Sequence, residues 1–426
     1  MSKEKPLVKI GVISDVQAYD VREDWGMSNL IKALKILAPL KPEVIINAGD
    51  LADSAEFPDV YNIYNQLFAE YFPDKLPQQV ICAGNHDVWG SCGQSLSAML
   101  DEFCRRLAIP RAAVYRKEIN GFDFIAVSEE HVEDYTAETI AQLRQLLDES
   151  ALHKPGKPVF VVTHYPPADT MSGSCSRHGR KSLRNLFNEY PQVVSLSGHT
   201  HYPLEDERAI WQQEFTAVTT ATLSYGCIAE NLFNVCNGIL PFAREAVQVM
   251  YMEVFADKVV IRRYNVEDAR EIKPHARWQF HWPYNPAQPE LGLQRIKKRR
   301  APEFPETAQL LLRYDYGFVY AVFDAARHDD MVKYYHIRTS VKQPDGSWKE
   351  QQSVDFAASF YRLQNNCSNR EFLKLPDGAL VSGEWNRIEI FPVETFGLTG
   401  RPLTVERLIP FTWRYRQIDP MAAPQE

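Results

Sequence analysis

Residues 44 to 53 read Val-Ile-Ile-Asn-Ala-Gly-Asp-Leu-Ala-Asp, a β-branched run that stops at small and polar residues. A strand buried on both faces has this form, because apolar side chains must point both ways before the chain turns. The form recurs at Val8 to Ile13 and Val159 to Val162, with Gln79 to Cys82 and Val193 to Leu196 as further candidates. Between the first two strands, Leu30, Ala33, Leu34 and Leu37 fall at helical spacing over Met27 to Leu37, and Pro39 predicts the stop. Ile140, Leu143 and Leu147 predict a second helix over Ala137 to Asp148, capped by Thr136. Strand and helix in alternation predict an α/β fold with its chemistry on loops at the ends of strands in one parallel sheet.

Farther along, Gln248 to Phe255 and Lys258 to Tyr264 read as a hairpin about Ala256-Asp257 that closes this domain. Trp282 to Glu306 then holds five prolines and the basic cluster Arg295, Lys297, Lys298, Arg299 and Arg300. The expected division is therefore a first domain at 1–282, a Pro-rich basic linker at 283–306 and a smaller domain at 307–426. The cluster reads as a solvated linker face, with contact to an anionic surface as the alternative. Beyond it, Ala308 to Phe323, Tyr334 to Val341, Ser353 to Leu363 and Trp385 to Val393 are β-rich and separated by turn signals such as Pro376-Asp377-Gly378. They predict a small all-β sandwich. No repeat of fixed period is present, which argues against solenoids and propellers.

The 426 residues carry 47 basic against 55 acidic side chains, a formal charge of -8. That sign repels polyanions, so nucleic acid is not the expected partner. No run reaches the roughly 18 apolar residues of a membrane span, and the first residues lack the apolar core of a secretory leader. The seven cysteines are scattered with no C-x-x-C pair, and read as reduced thiols. The sequon Asn366-Cys367-Ser368 is too common by chance to argue for secretion. The expected location is cytoplasmic, with a leader removed upstream left open.

Five segments, each after an expected strand, gather metal-capable side chains: Ser14-Asp15-Val16-Gln17, Gly49-Asp50-Leu51-Ala52-Asp53, Gly84-Asn85-His86-Asp87, Thr163-His164-Tyr165-Pro166 and Gly198-His199-Thr200-His201. Taken singly, each has a plain explanation as a cap or a polar turn. Together, in this order, they resemble the signature of the calcineurin-like metallophosphoesterases, D-x-H, G-D-x-x-D, G-N-H-[DE], H and G-H-x-H, over roughly the first 265 residues. The resemblance implies an αββα double-sheet sandwich binding two divalent ions. It implies that Asp15, Gln17, Asp50 and His201 hold one ion, and that Asp50, Asn85, His164 and His199 hold the other. Oxygen and imidazole donors without thiolates suit Mn²⁺, Mg²⁺, Fe²⁺ or Zn²⁺. Such a pair activates water and clamps both oxygens of an in-line displacement at phosphorus.

In the family that this chain resembles, the histidine of the third motif is the general acid, here His86, oriented by Asp53, with Asp87 as the alternative orienting group. One departure stands out: the first motif ends in Gln17 where the family has His. An amide oxygen is a weaker and harder donor than imidazole, which favours Mn²⁺ or Mg²⁺ at the first site. The D-x-Q variant resembles branches that include manganese-dependent nucleotide-diphosphate hydrolases. The loop Met171 to Lys181 carries Arg177, His178, Arg180 and Lys181 and could hold phosphate oxygens, or could simply lead into a helix. Trp89 and Tyr115 could form a substrate wall or pack ordinarily. No Walker loop, serine elbow or H-E-x-x-H helix is found.

The expected function is hydrolysis of a phosphodiester or phosphoanhydride in a small phosphoester substrate by metal-activated hydroxide. The alternative is an inactive relative whose β-domain binds a carbohydrate or protein. Membrane is not an expected partner, and self-association is left open.

Overall fold

The computed structural model describes residues 5–90, 93–128, 134–175, 177–363 and 369–413. Cys92, Cys367, the sequon and Ser176 of the 171–181 loop lie outside them. Two compact units emerge, one of Met1–Glu230 with Gly238–Lys298, the other of Asn231–Asn237 with Arg299–Glu426.

In the first unit the chain runs β1 (Val8–Ile13), α1 (Trp25–Leu37), β2 (Val44–Asn47), α2 (Asp59–Tyr71), β3 (Gln78–Ile81), α3 (Leu96–Leu107), β4 (Val114–Ile119) and β5 (Phe122–Val127). It continues through α4 (Ala137–His153), β6 (Val159–Thr163), α5 (Lys181–Phe187), β7 (Val193–Ser197), β8 (Ile210–Gln212) and β9 (Thr216–Thr219). Then follow β10 (Gln248–Val254), β11 (Lys258–Asn265), β12 (Glu271–Ile272) and β13 (Trp278–His281). A seven-stranded sheet has the order β12-β11-β10-β1-β2-β3, with β13 also on β11. A six-stranded sheet has the order β4-β5-β6-β7-β9-β8. Strands β1, β2 and β3 are parallel neighbours, as are β5, β6, β7 and β9.

Side chains that alternate along a strand belong to different cores. Phe122, Phe124, Ala126, Phe160, Val162, Val194 and Leu196 join the first sheet's Ile46 and Ile81 in one cluster. Their sequence neighbours Ile125, Val127, Val159, Val161 and Val193 pack with Leu143 and Leu147 of α4 and with Leu183 and Leu186 of α5. This is the calcineurin-like sandwich of two mixed sheets. It corrects the expectation of one parallel sheet: three metal-capable loops follow strands of the first sheet and two follow strands of the second. A run buried on both faces does not say which sheet it joins.

Helix α1 begins at Trp25, where Asp24 accepts from Met27 N at 2.7 Å. Pro39 lies in a 3₁₀ turn, Ala38–Leu40, that continues the helix. Thr136 caps α4 as expected, yet the helix extends five residues past Asp148 to His153. Among the described residues no helix is long and apolar enough to cross a membrane.

The second unit pairs a three-stranded antiparallel sheet with a four-stranded one. Its strands are β14 (Leu310–Asp315), β15 (Phe318–Asp324), β16 (Tyr334–Lys342), β17 (Trp348–Ala357), β18 (Arg370–Lys374), β19 (Trp385–Val393) and β20 (Leu403–Leu408). The stretch 308–323 is two strands, turned by left-handed Tyr316 and Gly317. Residues 231–237 belong here, with Phe233 N donating to Asp355 O at 2.7 Å and Ala357 N to Asn234 Oδ1 at 2.8 Å. A linear division at 283 and 307 does not contain that excursion. Two members of the basic cluster are not solvated either. Arg295 bonds Glu207 O at 3.0 Å in the first unit, and Arg299 bonds Glu394 at 2.7 Å and Asp330 in the second.

Candidate metal centre

Asp15 and Gln17 follow β1, Asp50 and Asp53 follow β2, and Asn85 and His86 follow β3, while His164 follows β6 and His199 and His201 follow β7. Each lies just past the C-terminal end of a parallel strand, so the two sheets deliver their loops to one edge. The loops are knitted together through main chain: Asp15 N donates to Gly49 O and Gln17 N to Asp50 O, both at 3.0 Å.

The side chains converge. Asp50 Oδ2 lies 3.1 Å from His164 Nε2, and Asp15 Oδ1 lies 3.1 Å from His201 Nε2. Asn85 Oδ1 lies 3.0 Å from His164 Nε2 and 3.2 Å from His199 Nδ1. Donor atoms of Asp15, Asp50 and His164 all fall within 4.8 Å of one another, and all three residues are buried. Main-chain carbonyls hold the far nitrogens: His164 Nδ1 meets Ala48 O and His201 Nδ1 meets Tyr225 O, each at 2.8 Å. A carbonyl only accepts, so both rings carry their proton on Nδ1 and turn Nε2 to the carboxylates.

Burial opposes the charge on His164, but Asp50 outweighs it and pushes the imidazole up to about 10. His201 is raised in the same way, by Asp15 against burial. Burial likewise opposes ionisation of Asp50, yet the His164 charge leaves its carboxyl below the usual range. Positive charge is thus favoured between these groups, as a cation there would be. His199 differs. Burial and the charges of His164, His178 and His201 hold it well below an ordinary imidazole.

The donors fit divalent ions by two further observations. Among the described residues Gln17 Oε1 is buried without a hydrogen-bond partner, a costly arrangement for an amide oxygen unless something electropositive meets it. Space is also reserved: a Cβ at Gly84 would collide with Asp50 Oδ1, and one at Gly198 with Ser14 Oγ and Asp15 Oδ2.

His86 is held differently from the expectation. Its Nδ1 meets the main-chain carbonyl of Asp53 at 2.6 Å. The Asp53 carboxylate instead faces the Tyr19 hydroxyl, which its charge and burial make less acidic. Nor does Asp87 orient His86. It is buried, and its carboxylate accepts from the main chain of Asp50 (2.8 Å), Leu51 (3.0 Å), Ala52 (3.1 Å) and Gly84 (3.0 Å), bracing the loop that presents Asp50.

Of the two expected phosphate contacts, His178 reaches the cluster, with Nδ1 3.1 Å from His199 Nε2. Arg177 is exposed, and its charge, after burial, lowers the proton affinity of His178. The sequence reading missed the stack behind His199. The Tyr165 ring lies 3.8 Å from the His199 ring, and the buried Arg180 guanidinium 3.4 Å over Tyr165. Its signals were the adjacency of Tyr165 to His164 and the place of Arg180 in the basic loop 171–181, where a phosphate contact and not a stack was expected.

Two mixed sheets whose parallel strands end at buried carboxylates, imidazoles and amides define a metallophosphoesterase fold with a metal-capable centre. The family model for calcineurin-like phosphoesterases matches residues 8–203. No curated protein matches the chain. Among solved structures, a dimetal phosphatase from Danio rerio is 12% identical, aligned over 63% of this chain and 99% of its own, with a TM-score of 0.42. A purple acid phosphatase from yellow lupin is 12% identical over 64% of this chain and 53% of its own, with a TM-score of 0.48. An anchor protein of the Plasmodium inner membrane complex is 11% identical over 65% of this chain and 89% of its own, with a TM-score of 0.45. The family match supports metal-dependent phosphoester hydrolysis in general.

Proposed function

We propose that this chain is a dinuclear metal-dependent phosphohydrolase cleaving a phosphodiester or phosphoanhydride bond, with His86 as general acid. The observation that carries the reading is the convergence of Asp15, Asp50 and His164 beside the amide oxygen of Gln17, which has no hydrogen-bond partner among the described residues. Asp15, Gln17, Asp50 and His201 would hold one ion, and Asp50, Asn85, His164 and His199 the other. When bound, the ions supply a water acidic enough to attack at neutral pH and positive charge against the phosphoryl oxygens. The amide at position 17 favours Mn²⁺.

The chain's own work is orientation and proton delivery. His86 N donates to Asp50 Oδ1 at 2.9 Å, which ties the proposed acid to a carboxylate that would hold the ions. Since Asp53 O can only accept, His86 keeps a proton on Nδ1 and acts as an acid from its imidazolium form, through Nε2. Asp53 thereby serves through its carbonyl.

The test is metal analysis with turnover of bis(p-nitrophenyl) phosphate and a nucleoside diphosphate. Up to two divalent ions per chain and faster cleavage with added Mn²⁺ are expected. Metal-replete protein inert toward both would overturn the reading in favour of a binding protein. His86→Ala should keep its metal and lose most rate on poor leaving groups.

A further inference from the structure

Trp89 is 65% exposed, an unusual disposition for an indole that contributes little to the fold in that state. Its position is nonetheless fixed from behind, because its carbonyl accepts from Ala55 N at 2.9 Å and from Ser54 Oγ at 3.1 Å. The ring stands edge to face with His86, centroids 5.4 Å apart and planes at 71°. Tyr115, the other aromatic expected near the site, is buried and spends its hydroxyl on Ile81, so packing accounts for it and not for Trp89. A second exposed ring, Tyr19 at 46%, reaches the same imidazole through Asp53.

A general acid must lie about 2.6 to 3.2 Å from the leaving oxygen. Whatever that oxygen carries then projects from His86 past the ring packed against it. A flat open indole face takes a second planar ring by stacking. A quaternary ammonium calls for several enclosing rings, and one open face does not provide them.

Resting on the hydrolase reading above, we propose that Trp89 is the contact surface for the leaving group, and that this group carries a planar aromatic ring, as a nucleoside or an aryl alcohol does. Trp89 selects the substrate and takes no part in proton transfer.

The experiment compares wild type, Trp89→Ala and Trp89→Phe, loaded with Mn²⁺, on an aryl and a fluoroalkyl phosphodiester of matched leaving-group basicity. Calorimetric binding of phenylphosphonate and methylphosphonate gives a readout free of turnover. Truncation to Ala should reduce the aryl-to-alkyl ratio of kcat/KM by roughly 5- to 100-fold, the range that loss of one stacking partner produces, and weaken phenylphosphonate in parallel. The Phe variant should restore most of both. A wild type without aryl preference, or a preference that survives in Trp89→Ala, overturns the proposal. Failure of the hydrolase reading looks different: neither ester turns over in wild type, while the phosphonate pair still decides the role of Trp89.

Discussion

Asp87→Ala is the most informative single change, because Asp87 is not itself an expected ligand and yet its loss should dismantle the loop that carries one. The Asp87 carboxylate accepts four main-chain N–H groups, those of Asp50, Leu51, Ala52 and Gly84, at 2.8 to 3.1 Å, and the Tyr61 hydroxyl at 3.4 Å. Alanine leaves the four amides without that acceptor. An unsatisfied buried donor costs about 1 to 3 kcal/mol, so even the low end gives about 4 kcal/mol, a large share of the stability of an ordinary domain. Asp87 also borders a cavity lined by Tyr61, Met99, Glu102 and Arg106, through which water can reach some of those donors, and this favours the low end. Asparagine is no conservative replacement, since its NH₂ would face donors where a carboxylate oxygen now accepts. The assay is urea unfolding paired with metal analysis. Stability should fall by about 3 to 5 kcal/mol in Asp87→Ala, with metal content falling in step because Asp50 loses its platform. A variant within 1 kcal/mol of wild type that keeps its metal would refute the reasoning.

Other consequences are checked more simply. His178→Ala removes the group at His199 Nε2, 3.1 Å away, and should weaken binding of one ion about 10- to 100-fold in a metal titration while leaving the other ion in place. Gly84→Ala drives a Cβ into Asp50 Oδ1, with Asp50 N at 2.7 Å and His164 Cγ at 2.8 Å, and should abolish metal retention in protein that still shows its far-ultraviolet dichroism. Burial opposes ionisation of Glu207, but Lys273, Arg263, Trp278 and Arg295 outweigh it and hold the carboxyl at about 2, below its unfolded value. Its contribution is therefore complete above pH 4.5 and lost as pH falls toward 2. Glu207→Gln should destabilise by up to roughly 3 kcal/mol at pH 7 and by almost nothing at pH 2, read from urea midpoints of both proteins at each pH.

The parts of the fold legible from sequence were those where burial on both faces leaves a continuous apolar run. Val8 to Ile13 coincides with β1, and Val44, Val159 and Val193 each begin a strand as expected. Strands β4 and β9 were not legible. Val114–Ile119 is an edge strand with polar Arg116, Lys117 and Glu118, and Thr216–Thr219 is too short to show a period. Helix α2 escaped because its buried Tyr61 and Tyr64 alternate with Asn62 and Asn65, which lowers the apolar contrast on which periodicity depends. Glu207, Arg263, Lys273 and Arg295 form an ion cluster from four separate stretches of chain, and no local pattern announces that.

The candidate site divides along the same line. Its residue types were legible because metal chemistry restricts them, but their backbone was not. Asp15, Gln17, Asp50, His199 and His201, five of the seven expected ligands, have φ between 46 and 64°. Aspartate tolerates this left-handed region, whereas for glutamine and histidine it costs on the order of 1 to 2 kcal/mol each. A sequence selected only for folding would carry Gly or Asn there. Neighbouring loops hold these residues, since Asp15 N donates to Gly49 O, Gln17 N to Asp50 O and His199 N to the Asp15 carboxylate, while His201 O accepts from Cys227 N. Strain kept at side chains that would be cheaper as glycine is explained if those side chains have work to do. Its presence at Gln17 is what the proposed ligand set, with an amide in place of an imidazole, would call for.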